Sequence, residues 1–118
     1  MAGEKDKFQN VVKDIKRHGD TIILTLTGEI DMHCSVHVRG ELLEIIQENP
    51  AMVIIDMNEV EFMDSSGLAV LVETLQLTRR DNRVLKLVGL RPRVRSIFEI
   101  SRLDNLFQIY NSQAEALA

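Results

Sequence analysis

Tryptophan is absent from this chain, tyrosine occurs once and phenylalanine four times in 118 residues, so aromatic residues make up only 4% of it. Any core must therefore be built from Leu, Ile, Val and Met. The total hydrophobic content of 45% still places the chain among globular proteins and excludes a low-complexity or disordered one. Cysteine is nearly missing too. The single Cys34 excludes an internal disulfide and fits a reducing compartment. No apolar run approaches the ~20 residues of a membrane span. The opening Met1-Ala2-Gly3-Glu4-Lys5-Asp6-Lys7 lacks the apolar segment of a signal peptide. A cytoplasmic protein with no membrane partner is the expectation. A surplus of cations is also missing: 14 Lys and Arg against 18 Asp and Glu leave a net charge of −4. Direct nucleic-acid binding wants the opposite balance. Arg79, Arg80, Arg83, Arg91, Arg93, Arg95 and Arg102 are interspersed with acids and read as a solvated face.

The motifs of common small-molecule chemistry are absent as well. There is no Gly-x-x-x-x-Gly-Lys-Ser/Thr phosphate loop and no Gly-x-Gly-x-x-Gly turn. Ser65 is preceded by Met63-Asp64 instead of the Gly-x that a strained nucleophile turn requires. Asp56 closes an apolar run, but an aspartyl-phosphate receiver also needs an acidic pair after an earlier strand, and Glu29-Ile30-Asp31 spaces its acids badly for that. His33 and His37 stand four apart with Cys34 between them, yet a closed tetrahedral metal site needs a fourth ligand. They read as surface histidines. No catalytic residue, metal or cofactor is expected.

What is present is an alternation of strand-like and helix-like segments. Residues 1–7 are polar and expected to be a flexible N-terminus, leaving 8–118 as one domain. Phe8 to Arg17 suggests an edge strand, and His18-Gly19-Asp20 a hairpin turn. Thr21 to Thr27 alternates, with Ile22, Leu24 and Leu26 on one face, and Gly28 stops it. Val38, Leu42, Ile45 and Ile46 have the spacing of a helical stripe, ended by Asn49-Pro50. Met52 to Ile55 is a continuous apolar run, as in a strand covered on both faces. Asp56 to Asp64 reads as a connection. A helix starts near Ser65 with Leu68, Leu71, Val72 and Leu75 inward. A strand follows at Val84–Val88, then a helix opened by Arg91-Pro92, a strand at Leu106–Tyr110 and a short helix at Ser112–Leu117. The predicted class is α/β: a four- to five-stranded mixed β-sheet with about four α-helices packed mainly on one side.

The segment Asp64-Ser65-Ser66-Gly67-Leu68 stands at the start of an apolar-periodic run. Asp and Ser there make good helix caps, and spacing alone supports nothing more. The same place would tolerate a phosphate, because free backbone N–H groups and the helix dipole favour an anion. Spacing leaves both roles open.

Several segments together resemble the STAS domain family, and within it the free-standing anti-sigma factor antagonists. They are Leu26-Thr27-Gly28-Glu29-Ile30-Asp31, then Val53-Ile54-Ile55-Asp56-Met57, then Val60-Glu61-Phe62-Met63-Asp64-Ser65-Ser66-Gly67-Leu68-Ala69-Val70-Leu71, and finally Val94 to Leu106 with Ile97-Phe98 and Ser101-Arg102-Leu103. The likeness runs from residue 8 to residue 115. It implies the STAS fold and a partner switch without catalysis of its own. The unphosphorylated protein would bind a GHKL-type anti-sigma factor serine kinase and free a sigma factor. The kinase would phosphorylate Ser65 and so end the complex, and a PPM-type serine phosphatase would reset it. Asp31, Asp64, Ser65, Ser66, Gly67 and Leu68 are the implied partner-binding positions, and the chain would be a monomer or weak dimer. The alternative in the same family is a scaffold or switch component with another output, such as secretion or a stress-signalling assembly. The sequence departs from the common pattern at Met32-His33-Cys34-Ser35-Val36, directly after Asp31.

Overall fold

A computed structural model describes residues 11–118. The expected flexible segment 1–7 and the start of the first strand at Phe8 lie outside the described residues. The elements run β1 (Val12–His18), β2 (Thr21–Ile30), α1 (Ser35–Gln47), β3 (Met52–Met63), α2 (Ser65–Arg80), β4 (Val84–Val88), α3 (Pro92–Ile100), β5 (Gln108–Tyr110) and α4 (Gln113–Leu117). The five strands lie in sequence order in one sheet. β1 is antiparallel to β2, and every later neighbouring pair is parallel. The mixed sheet expected from the sequence is therefore present.

The hairpin closes over Gly19-Asp20, with Gly19 at φ +63°, a conformation glycine adopts without steric cost. Alternation then sorts β2 and β3 between two faces. Ile22, Leu24, Leu26, Val53 and Ile55 join Val38, Leu42, Leu71, Leu75, Val94 and Phe98 in the main core, beneath α1, α2 and α3. Ile23, Ile54 and Val88 form a smaller cluster on the other face, closed by Ala116 of α4. Lys86 Nζ donates to the Ala116 carbonyl at 2.6 Å and fixes that short helix. The helices thus lie mainly on one side, with only α4 opposite. The few aromatics are placed where they matter: Phe98 and Phe107 meet edge to face, with ring centres 5.2 Å apart.

The last strand starts at Gln108, not Leu106, and two further boundary differences position the site. β2 does not stop at Gly28, and β3 does not end at Ile55. Both run on together, pairing Thr27 with Glu59, Gly28 with Val60, Glu29 with Phe62 and Ile30 with Met63. The register shifts twice along this stretch, and Gly28 takes φ +81° to pass an irregularity that an L side chain would strain. β4 pairs only with residues 52–56 of β3, so the last part of β2 and β3 is a two-stranded extension beyond the rest of the sheet. It carries its chain ends, Asp31 and Asp64, side by side.

Candidate functional site

The ends of β2 and β3 are tied directly. The Asp64 amide donates to the Ile30 carbonyl at 3.1 Å. Helix α2 begins one residue later, and its cap is Asp64, not a serine. The Asp64 carboxylate oxygen Oδ1 accepts from the Ser66 amide at 2.9 Å, the Ser66 hydroxyl at 2.5 Å and the Gly67 amide at 3.4 Å. These bonds, led by the Ser66 hydroxyl and joined by the Met32 amide from the neighbouring loop, hold the Asp64 carboxyl below its ordinary range against a smaller opposing effect of burial. One carboxylate thus closes the helix end.

That arrangement changes the standing of Ser65. It occupies the first helical position, is exposed, and among the described residues its hydroxyl has no hydrogen-bond partner. Ser66 is half-buried and spent on Asp64. Gly67 and Leu68 are buried. A Cβ added at Gly67 would come within 2.6 Å of Met63 Cγ and 2.9 Å of Ile30 Cγ2, so the first turn of α2 seats on the β2–β3 ends only with glycine there. Leu68 enters the core below. Asp31 is half-buried. Its carbonyl accepts from the Cys34 and Ser35 amides and its carboxylate from the His33 amide at 2.9 Å, turning the chain into α1. Of the six positions singled out in the sequence, Ser65 is therefore the exposed one. Asp64 and Ser66 flank it in the chain, Asp31 ends the neighbouring strand, and Gly67 and Leu68 are buried behind it.

α1 and α2 start at this same end of the sheet and run side by side, pinned by Arg39 and Glu73 through two hydrogen bonds of 2.6 and 2.9 Å. The loop entering α1 leaves two large apolar side chains in solvent, Met32 at 70% and Val36 at 74% exposure. They lie in the segment that departs from the family pattern. Only the tertiary arrangement shows that this departure follows the strand end tied to Asp64.

The remaining candidates do not form a site. Helix α1 begins at Ser35, so His33 lies before it and shares no helical face with His37. His33 Nδ1 is 3.6 Å from Asp31, and His37 Nε2 is 3.9 Å from Glu41. Cys34 is buried, its thiol pushed up chiefly by burial. Among the described residues no three His, Cys, Asp or Glu side chains gather as a metal set would require. No described helix is long and apolar enough to cross a membrane. The arginine run is divided by its partners. Arg79, Arg83 and Arg91 donate to the carbonyls of Leu106, Asn49 and Asn58 and brace turns.

Comparison with known proteins agrees with this architecture. The STAS domain model matches residues 12–116. An anti-sigma-B factor antagonist of Listeria monocytogenes is 37% identical over 108 residues, covering 90% of this chain and 94% of its own. The crystal structure of an anti-sigma factor antagonist from Mycobacterium paratuberculosis superposes with a TM-score of 0.81 at 25% identity, covering 88% of each chain. Bacillus SpoIIAA, solved in its phosphorylated form, shares the fold with a TM-score of 0.71 at 22% identity, over 88% of this chain and 95% of that one. With its sheet order, its paired strand ends and a family match spanning nearly all the described residues, this chain belongs to the STAS domain family.

Proposed function

We propose that this protein is an anti-sigma factor antagonist, switched by reversible phosphorylation of Ser65. In the unphosphorylated state it binds an anti-sigma factor of the GHKL serine-kinase type and so frees a sigma factor. The kinase transfers the ATP γ-phosphoryl group to the Ser65 oxygen, the hydroxyl proton leaves, and ADP is released. A PPM-type phosphatase returns the serine. The observation that carries this reading is the division of labour at the start of α2: Asp64 caps the helix, leaving Ser65 exposed and unengaged. The Listeria relative's name points the same way.

The geometry supports a switch that acts at a surface. A phosphate adds about −1.5 to −2 charges at neutral pH. At a helix N-terminus that charge is tolerated by the dipole, so the fold survives even though Asp64 already takes the Ser66 and Gly67 amides. The strand ends it adjoins carry Asp31 and Asp64, and Met32 and Val36 are exposed on the loop and first helical turn that follow Asp31. A partner packed on Met32 and Val36 with Ser65 at its border loses the contact through desolvation and like-charge repulsion once the phosphate is present. No catalysis by this chain is required.

The test is incubation with a purified candidate kinase and ATP, followed by site mapping by mass spectrometry. Phosphate is expected on Ser65 and absent from Ser65→Ala. Full modification of Ser65→Ala would overturn the assignment. Ser65→Glu is expected to fold normally and to bind the kinase more weakly than the wild-type chain.

A further inference from the structure

A cleft opens at the same end of the sheet. Glu29, Glu61 and Phe62 of the β2–β3 extension line one side of it, and Arg91, Pro92 and Arg93 at the start of α3 line the other, around ≈ 680 Å³. That volume falls in the range of small-ligand sites, about 300–1,000 Å³. The strand side carries two carboxylates and the helix side two guanidinium groups. Among the described residues none of these four side chains has an opposite charge within 4.0 Å. The two sides therefore do not neutralise each other by contact. Arg91 is held in place: its Nε donates to the Asn58 carbonyl at 2.9 Å, which leaves its two terminal nitrogens without an acceptor among the described residues. Arg93 is exposed and Phe62 half-buried.

We propose that this cleft binds a short peptide with free termini, its carboxylate on Arg91 and Arg93 and its ammonium group on Glu29 and Glu61. A simple anion drawn to the guanidinium groups meets two carboxylates on the other side, and a simple cation meets the reverse. A ligand with opposite charges at its two ends matches both sides at once. The guanidinium fork suits a carboxylate, which it can hold through two parallel hydrogen bonds. A carboxylate can in turn accept from the three N–H donors of an ammonium group. An extended tripeptide spans about 10 Å, so its two charged ends reach opposite sides of the cleft. An apolar residue at its centre finds Phe62 and Pro92 as apolar surface within the same cleft. Ser65 does not line the cleft, and this inference does not rest on its phosphorylation.

NMR of the isotope-labelled full chain, titrated into the millimolar range with the tripeptide alanyl-leucyl-alanine, tests it. Saturable shifts are expected at the amides of Glu29, Glu61, Phe62, Arg91 and Arg93. The N-acetylated tripeptide has lost its cation and the C-amidated one its anion. Each is expected to bind about fivefold more weakly, the loss of one exposed ion pair. Two variants then assign the ends. Arg93→Gln is expected to weaken the free tripeptide by a similar factor and to leave the amidated one unchanged. Glu61→Gln is expected to weaken the free tripeptide and to leave the acetylated one unchanged. Absence of shifts at these five amides would overturn the proposal. So would blocked tripeptides that bind as tightly as the free one, or variants that weaken all three peptides alike. Both positions are exposed, and the comparison of peptides on the wild-type chain needs no variant to fold.

Discussion

Asp64 and Ser65 are adjacent, polar and both at a helix start, yet they do different work. Removing the cap by Asp64→Ala is expected to cost about 1 kcal/mol of stability, read from urea denaturation. Ser65→Ala should stay within about 0.5 kcal/mol of wild type, as expected for a surface site without partners. Stability that follows Ser65 instead would make the serine structural. The depressed carboxyl of Asp64 also sets a pH dependence. A carboxylate favoured in the folded state contributes fully above its unfolded value of about 3.9. That contribution fades as pH falls through the lower folded value. The stability difference between wild type and Asp64→Asn should therefore be constant near neutrality and shrink only in strong acid, as measured by denaturation at successive pH values. Gly67 has the tightest steric constraint in the site. Gly67→Ala should cost about 1–3 kcal/mol through forced shifts of Met63 and Ile30, lowering the melting temperature without removing Ser65.

Among the elements, the extension of β2 and β3 beyond β4 decides where the site stands. It carries both loops as one unit, and Gly28 at φ +81° allows it. A side chain there meets no neighbour, so Gly28→Ala isolates the backbone cost. About 1–2 kcal/mol is expected for an L residue held in that region. Faster amide exchange at Asp64, whose N–H bridges to Ile30, is expected with it. Unchanged exchange at Asp64 with lowered global stability would show that the irregularity serves the sheet and not the site.

On the scale of the whole molecule, two cores of unequal size share one sheet. The smaller depends on α4, a helix of five residues capped by Ser112, whose hydroxyl accepts from the Glu115 amide at 3.2 Å. Ala116 is fully buried against Ile23, Ile54 and Val88. Ala116→Asp places a carboxylate among them and should cost about 2–4 kcal/mol or detach the helix. Denaturant unfolding together with dye binding to the uncovered face would separate the two results.

Much of this was legible in the chain itself. The period-2 run at Thr21–Thr27, the helical stripes at Val38–Ile46 and Leu68–Leu75, Pro92 at a helix start and the strand at Val84–Val88 are local signals, set by side-chain periodicity and backbone preference. The position of Ser65 at the head of α2 was legible for the same reason. Other features depend on partners distant in sequence. Residues 57–63 carry no clear strand pattern, because their register shifts where they pair with residues 27–30. Which of Asp64, Ser65 and Ser66 caps the helix was undecidable from three good capping residues in a row. The strand end fixed Asp64 in an extended conformation with its carboxylate facing the free amides. Met32 and Val36 were only a departure from a pattern until the loop settled beside Asp64. Local order follows from the energetics of neighbouring residues, and so the sequence by itself determined the helices, the starts of the central strands and the place of Ser65 at a helix head. What Ser65 is free to do was decided by contacts between segments thirty residues apart, which exist only once the sheet has formed.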